Sequence, residues 1–332
     1  MAIINEKKLK FKIPEGKKKE RIDIFLANSI ENSTRSKIQK LIKANLVTVN
    51  GKTVKANYQI VPFDEIEVVI PVTPRPDKVE PENIPLDIVY EDQYLLVINK
   101  PAGMVVHPAP GNYTGTLVHA LLYYTDNLSN LNDEETRAGL VHRIDKDTSG
   151  LLVVAKDDYT HAKLGKYFAN HSIRREYWAV CWGRMGNKKG EITGNIARSK
   201  SDRKKFAVSK SGGKHAHTFY EVMEEFEFAS LIKLKLKTGR THQIRVHLSS
   251  IGHPVFGDPV YGGRRINAGT NIQNIKMIVN NLLEIMPRQA LHAKTLGFTH
   301  PVTKEEMNFD SKLPDDFLKL LNLLRSRSGD FS

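Results

Sequence analysis

Five prolines, Pro71, Pro74, Pro76, Pro81 and Pro85, fall within residues 71–85. Proline lacks a backbone N–H and fixes φ, so such a stretch cannot lie inside a helix or a central strand. It acts as a semi-rigid spacer. The 332 residues therefore divide into a basic tail at 1–18, a small domain at 19–70, a linker at 71–85 and a large domain at 86–332. Hydrophobic residues make up 40% of the chain, enough for two cores. No apolar run approaches the roughly 18 residues that cross a bilayer, and the N-terminus lacks the apolar segment of a secretory signal. A lone cysteine, Cys181, excludes an internal disulfide and a cysteine-cluster metal site. It reads, like the neighbouring Trp182, as a strand-core residue. Together these features indicate a protein of the reducing cytoplasm.

The formal charge of +13 and sequence pI near 9.5 point to nucleic acid or an anionic membrane. No long basic amphipathic helix supports the membrane, so nucleic acid is the expected partner. Residues 1–70 hold 14 Lys+Arg and 8 Asp+Glu. Ile22, Phe25 and Leu26 predict one helix. Ile38, Leu41 and Ile42 predict the inner face of a second, with Arg35, Lys37, Lys40 and Lys43 on the rest. Residues 47–54 predict a hairpin turning on Asn50-Gly51, and 65–70 another strand. A lysine-rich helix face alone could be merely solvated. Joined to the hairpin, it resembles the RNA-binding module of ribosomal protein S-four and of many RNA-modifying enzymes. That resemblance implies RNA contacts for Arg35, Lys37 and Lys40. Gly51-Lys52-Thr53 is not a phosphate loop, because Leu46 stands where that motif needs glycine.

The large domain mixes strands and helices without strict alternation, an α+β pattern. Strands are expected at 86–90, 94–98, 151–155, 177–182, 219–222 and 232–236. Helices are expected at 116–124, around 161–168, and at 244–251, 272–285 and 315–324. Residues 184–214, with 10 Lys+Arg against 2 Asp+Glu, read as a basic hairpin.

The chemistry lies in residues 137–156, a polar connection feeding the buried strand 151–155. His142-Arg143-Ile144-Asp145 is not a kinase catalytic loop: Ile144 intervenes before the aspartate, Gly150 stands where asparagine belongs, and the glycine-rich loop is missing. His142, His242 and His247 lack the spacing of a metallohydrolase. Carboxylate chemistry without a cofactor remains, with Asp145 and Asp147 both open as its carrier, and either able to be a simple turn aspartate. A second stretch, 238–248, gathers Arg240, His242, Gln243, Arg245 and His247 around a helix N-terminus. Such donors suit binding an anion or keeping a carboxylate ionised.

Taken together, these motifs resemble the RluA/RluD family of RNA pseudouridine synthases. His142-Arg143-Ile144-Asp145 with Thr148-Ser149-Gly150-Leu151 is similar to its signature, with Ile144 for the usual leucine. Asn99-Lys100-Pro101-Ala102-Gly103 with His107-Pro108 is similar to its first motif, Arg175-Glu176-Tyr177 to its tyrosine motif, and residues 239–247 to its third. Gly257-Asp258, Tyr261-Gly262, Leu291-His292-Ala293 and residues 298–301 fit its C-terminal signatures. The N-terminal module and residues 107–116 resemble most the RluD branch, which acts on large-subunit ribosomal RNA.

The resemblance implies a central mixed, largely antiparallel sheet flanked by helices, no cofactor or metal, and RNA as the partner of a monomer. Asp145 would be the catalytic aspartate, leaving Asp147 structural. Arg143 would fill the stack that the flipped uridine leaves, Tyr177 would pack on the flipped base, and Arg245 would pair with Asp145. His142, Arg240, His242 and Gln243 would lie on the RNA side of the site, with His142 also orienting its loop. Whether Asp145 attacks C1′ or takes a sugar proton stays open, as do transfer RNA as the substrate and a purely RNA-binding role.

Overall fold

The computed structural model describes residues 5–30, 33, 35–72, 78–131, 137–199, 202, 205–266 and 272–328. The chain divides into two compact units, Met1–Asp77 and Lys78–Ser332.

The first unit runs β1 (Asn5–Lys12), β2 (Glu20–Arg21), α1 (Ile22–Ser29), α2 (Arg35–Lys43), β3 (Val47–Val49), β4 (Lys52–Thr53), β5 (Gln59–Ile60) and β6 (Glu65–Val72). Its four-stranded sheet has the order β1-β6-β3-β4, and β2 pairs with β5. Asn50 and Gly51 adopt φ of 50° and 74°, the left-handed pair that a two-residue hairpin turn demands. Ile22, Leu26, Ile38, Ile42, Val47 and Val68 meet in the core, while Arg35, Lys37, Lys40 and Lys43 are exposed.

The basic tail expected at 1–18 is corrected here: residues 5–12 form β1, antiparallel to β6. Leu9 and Phe11 pack against the core, and Lys8, Lys10 and Lys12 stay exposed. Lysines along an edge strand also discourage pairing with other chains. The linker is also shorter than 71–85. Pro71 belongs to β6, and Pro74 and Pro76 lie outside the described residues. Residues 78–85 belong to the second unit, where Val79 is buried in the core. The Glu82 N–H donates to the His119 carbonyl at 3.0 Å, and the Glu82 carboxylate accepts from the Gly115 N–H at 3.0 Å.

The second unit contains β7 (Ile88–Glu91), β8 (Leu95–Lys100), α3 (Leu117–Tyr124), β9 (Ser149–Ala155), α4 (Asp158–Ala169), β10 (Arg174–Trp182), β11 (Lys189–Arg198), β12 (Phe206–Ser209), β13 (Lys214–Glu225), β14 (Ala229–Leu236), α5 (Gln243–Ser250), α6 (Ile272–Ile285), β15 (Leu291–Thr299), β16 (Glu306–Asp310) and α7 (Asp315–Ser328). The sheet order is β12-β11-β13-β14-β10-β15-β9-β8-β7, with β16 also on β15. It is antiparallel except where β15 meets β9 in parallel at His292↔Ser149 and Ala293↔Gly150. This is the expected mixed, largely antiparallel α+β sheet. No described helix is long and apolar enough to cross a membrane.

Both faces of β8 and β9 are covered. Leu96, Ile98, Leu152 and Val154 face one core, and Leu95, Val97, Leu151 and Val153 face another that includes Leu164 of α4. A strand buried on both sides is apolar throughout, so the polar residues before β9 gather at its start. Gly150 fixes that start: its φ is +113°, and a Cβ there would lie 2.2 Å from the Ala293 carbonyl oxygen.

Candidate active site

Four segments converge on a cavity of about 440 Å³: the loop before β9, the end of α4, the start of β10, and the turn that enters α5. That volume is within the range of small-ligand sites. Arg143, Asp145, Tyr177, Arg240, His242, Gln243 and Arg245 all line it. Arg35, Lys37 and Lys40 belong instead to the N-terminal unit.

Asp145 is half-buried. Its Oδ2 accepts from Arg245 Nη1 at 3.0 Å, across 100 residues of sequence. Arg245 projects from the first turn of α5 and is itself buried. Its Nε and Nη2 donate to the two oxygens of Asp258 at 2.6 and 3.0 Å. Asp258, fully buried, also accepts from the N–H groups of Val260 and Tyr261 at 2.8 and 3.0 Å. The Tyr261 ring covers the guanidinium at 4.9 Å. Burial disfavours the Arg245 charge, but the bonds and field of Asp258, with Asp145 adding to them, win and push its pKa up. The cation is thus held on three sides, with one nitrogen presented to Asp145.

His242 adopts φ of +54° at the entry to α5. The turn swings its ring over the site, with Nε2 3.9 Å from Asp145 Oδ1 and Nδ1 2.8 Å from the Tyr261 hydroxyl. Burial lowers its pKa, so the imidazole is neutral near pH 7. Tyr177 is buried in the cavity wall. Burial, reinforced by Asp145 and opposed by Arg175, raises its pKa and keeps the phenol protonated. Arg143 is exposed beside Asp145, with Nη1 3.3 Å from His107 Nε2. Asp147 contributes its backbone: its carbonyl accepts from Arg288 Nη1 at 2.9 Å.

Two expected RNA contacts need correction. Gln243 is buried, and both ends of its amide are engaged. Its oxygen accepts from the Thr238 hydroxyl at 2.7 Å and the Arg240 N–H at 2.9 Å, and its nitrogen donates to the His217 carbonyl at 3.0 Å and the Thr218 hydroxyl at 3.0 Å. It braces the turn that carries Arg240. His142 accepts from the Val153 N–H through Nε2 at 3.0 Å and stacks on Phe168 at 4.4 Å. Burial drives its pKa down to about 3. It anchors the loop to β9, and only its loop-orienting part stands. Arg240 keeps its place at the cavity, with Nε donating to the His215 carbonyl at 2.9 Å.

The sequence reading missed Asp258 and Lys100 as parts of this site. Lys100 is fully buried at the end of β8, and its ammonium donates to the carbonyls of Pro101, Met104 and Lys146 at 2.6, 2.9 and 3.0 Å. It stitches the 101–104 turn to the loop bearing Asp145. A fully buried lysine is rare, and its place in the Asn99-Lys100-Pro101-Ala102-Gly103 motif was the available signal.

Residues 94–250 match the RNA pseudouridylate synthase family, and residues 20–66 match the S4 domain. The uncharacterised RNA pseudouridine synthase YlyB of Bacillus subtilis is 46% identical, over 94% of this chain and 96% of its own length. The chain belongs to the RluA/RluD family of RNA pseudouridine synthases. The ribosomal large subunit pseudouridine synthase D of Zymomonas mobilis is also 46% identical to the synthase, over 92% of this chain and 93% of its own. Among solved structures, human RNA pseudouridylate synthase domain containing 4 superimposes with a TM-score of 0.54 at 26% identity, over 72% of this chain and 92% of its own. The synthase is an isomerase that converts uridine in RNA to pseudouridine.

Proposed function

We propose that the synthase modifies uridines of large-subunit ribosomal RNA, acting as a monomer in the cytoplasm. The observation that carries the assignment of the site is Asp145 at the cavity wall, bonded to an arginine already clamped by Asp258. The relatives named for the ribosomal large subunit support the choice of RNA.

A base inside structured RNA is out of reach, so it must be flipped out at a cost of a few kcal/mol. Arg143, exposed at the cavity rim, enters the stack and offsets part of that cost. The uridine then lies against Tyr177. Isomerisation breaks the N1–C1′ bond and makes a C5–C1′ bond, with one proton leaving C5 and one arriving at N1. Positive character develops at C1′ as the first bond breaks, and a carboxylate stabilises or captures it. Asp145 is that carboxylate. Arg245 aims it and stays charged beside it, and neutral His242 and protonated Tyr177 are the groups beside it able to hand on protons.

The test is to incubate the protein with large-subunit RNA transcript and map pseudouridine by carbodiimide adducts and primer extension. Wild type should produce new stops and Asp145→Asn none. Stops from the wild type on transfer RNA alone would overturn the choice of RNA. Equal modification by Asp145→Asn would overturn the assignment of Asp145.

A further inference from the structure

Four arginines line the cavity. Arg245 is taken by two carboxylates, Arg240 by the His215 carbonyl and Arg143 by His107. Arg175 differs. Among the described residues its guanidinium makes no hydrogen bond or ion pair, and its Nε is buried without an acceptor. A buried donor without a partner is costly unless a ligand supplies one. The next residue, Glu176, pairs instead with Lys235 at 3.3 Å.

The surroundings hold this cation ready. Its guanidinium lies over Phe168 at 5.2 Å, and Phe168 stacks in turn on His142. Gly239 leaves space on another side: a Cβ there would come within 3.3 Å of Arg175 Nη1. Arg175 and Leu236 also line a second hollow of about 460 Å³, formed with Arg174, Lys235, Thr295 and Asn308. Arg175 therefore stands where the active-site cavity and this groove meet. An RNA strand with one nucleotide in the cavity must carry its backbone out past such a junction.

We propose that Arg175 binds the backbone phosphate flanking the flipped uridine, and so sets how deeply that nucleotide enters the cavity. This rests on the reading above that the uridine occupies this cavity. A planar guanidinium fork matches phosphate oxygens and is the stronger for both partners being charged. The uracil carbonyls carry no charge and would leave the cation unneutralised.

The experiment uses the full chain and a short large-subunit RNA hairpin bearing the mapped uridine. The phosphate on its 5′ side, or on its 3′ side, is replaced by neutral methylphosphonate. Binding and single-turnover modification are measured for wild type, Arg175→Gln and Arg175→Lys. In the wild type, one of the two replacements should weaken binding about tenfold to a hundredfold. In Arg175→Gln the same replacement should cost less than threefold, because its partner is already gone. Arg175→Lys keeps the charge, retains part of the penalty and guards against a variant that fails to fold. Equal penalties in wild type and Arg175→Gln at both positions, from a wild type that modifies the RNA, would overturn this inference and leave the active-site reading intact. A wild type that modifies no RNA would sink both.

Discussion

Arg245 can serve Asp145 only because Asp258 takes the other side of its guanidinium. A buried arginine with one half-buried partner would be left partly unpaired, and an uncompensated buried charge is among the most destabilising defects a fold can carry. The two aspartates therefore have separable tasks. Asp258→Asn should destabilise the second unit by about 3–5 kcal/mol and lower activity with it. Asp145→Asn should abolish activity but cost less stability, about 1.5–3 kcal/mol, the worth of one charge-assisted bond. Urea unfolding followed by tryptophan fluorescence measures both, because Trp178 and Trp182 lie together on β10. Equal losses from the two variants would refute this division. The sequence motifs made Arg245 and Asp145 partners across 100 residues, yet passed over Asp258. In the structure it is a turn aspartate, accepting two N–H groups while also binding the arginine. Gln243 and His142 failed the other way. They stand near Asp145 and Arg245 in sequence, but packing from β13 and α4 turned them inward.

At the scale of elements, the buried strands were legible wherever apolar residues ran on or alternated, as in β8, β9, β10 and β14. β1 and β15 were among those hidden by composition. β1 shows only Leu9 and Phe11 among lysines, because its other face meets water. β15 carries polar residues into the interior, and His292 is satisfied there by the hydroxyls of Ser149 and Ser311, both at 2.8 Å. That solution has a consequence for acid stability. Burial lowers the pKa of His292 to about 4, of His247 on α5 to about 4 and of His142 to about 3. An unfolded histidine titrates near 6.5. Between about pH 6.5 and 4 the unfolded chain thus binds protons that the native state refuses, so stability falls as pH falls. Each such histidine contributes a slope of up to about 1.4 kcal/mol per pH unit. His292→Gln can keep hydroxyl partners without titrating. It should flatten the pH dependence of unfolding over this window while lowering stability at pH 7. An unchanged slope would mean that His292 is protonated in the native state.

Over the whole molecule, charge is spread unevenly. Residues 1–77 hold 15 of the 50 Lys+Arg and 9 of the 37 Asp+Glu, so under a quarter of the chain supplies nearly half of the net charge. In the folded unit one part of that charge is committed internally: Asp23 is fully buried and binds Arg21, Arg35 and Gln39. Its side-chain bond to Arg21 is the largest cause of its lowered pKa, against the pull of burial. Arg35 is thereby part scaffold, whereas Lys40, Lys43, Lys52 and Lys55 stand exposed and can displace counterions from RNA. A protein lacking residues 1–77 should retain the site, since Asp145, Tyr177, Arg245 and Asp258 lie in the second unit with its own cores. The cut must come before Lys78, because Val79 belongs to that core. If four lysines meet phosphates, the slope of log affinity against log salt should become shallower by about 3 on removing the unit. Affinity should fall most at low salt, and a small RNA presented at saturating concentration should still be modified. Filter binding across a salt series measures the slope. An identical slope in full-length and shortened protein would remove the N-terminal unit from the RNA interface and leave its lysines as a solvated face.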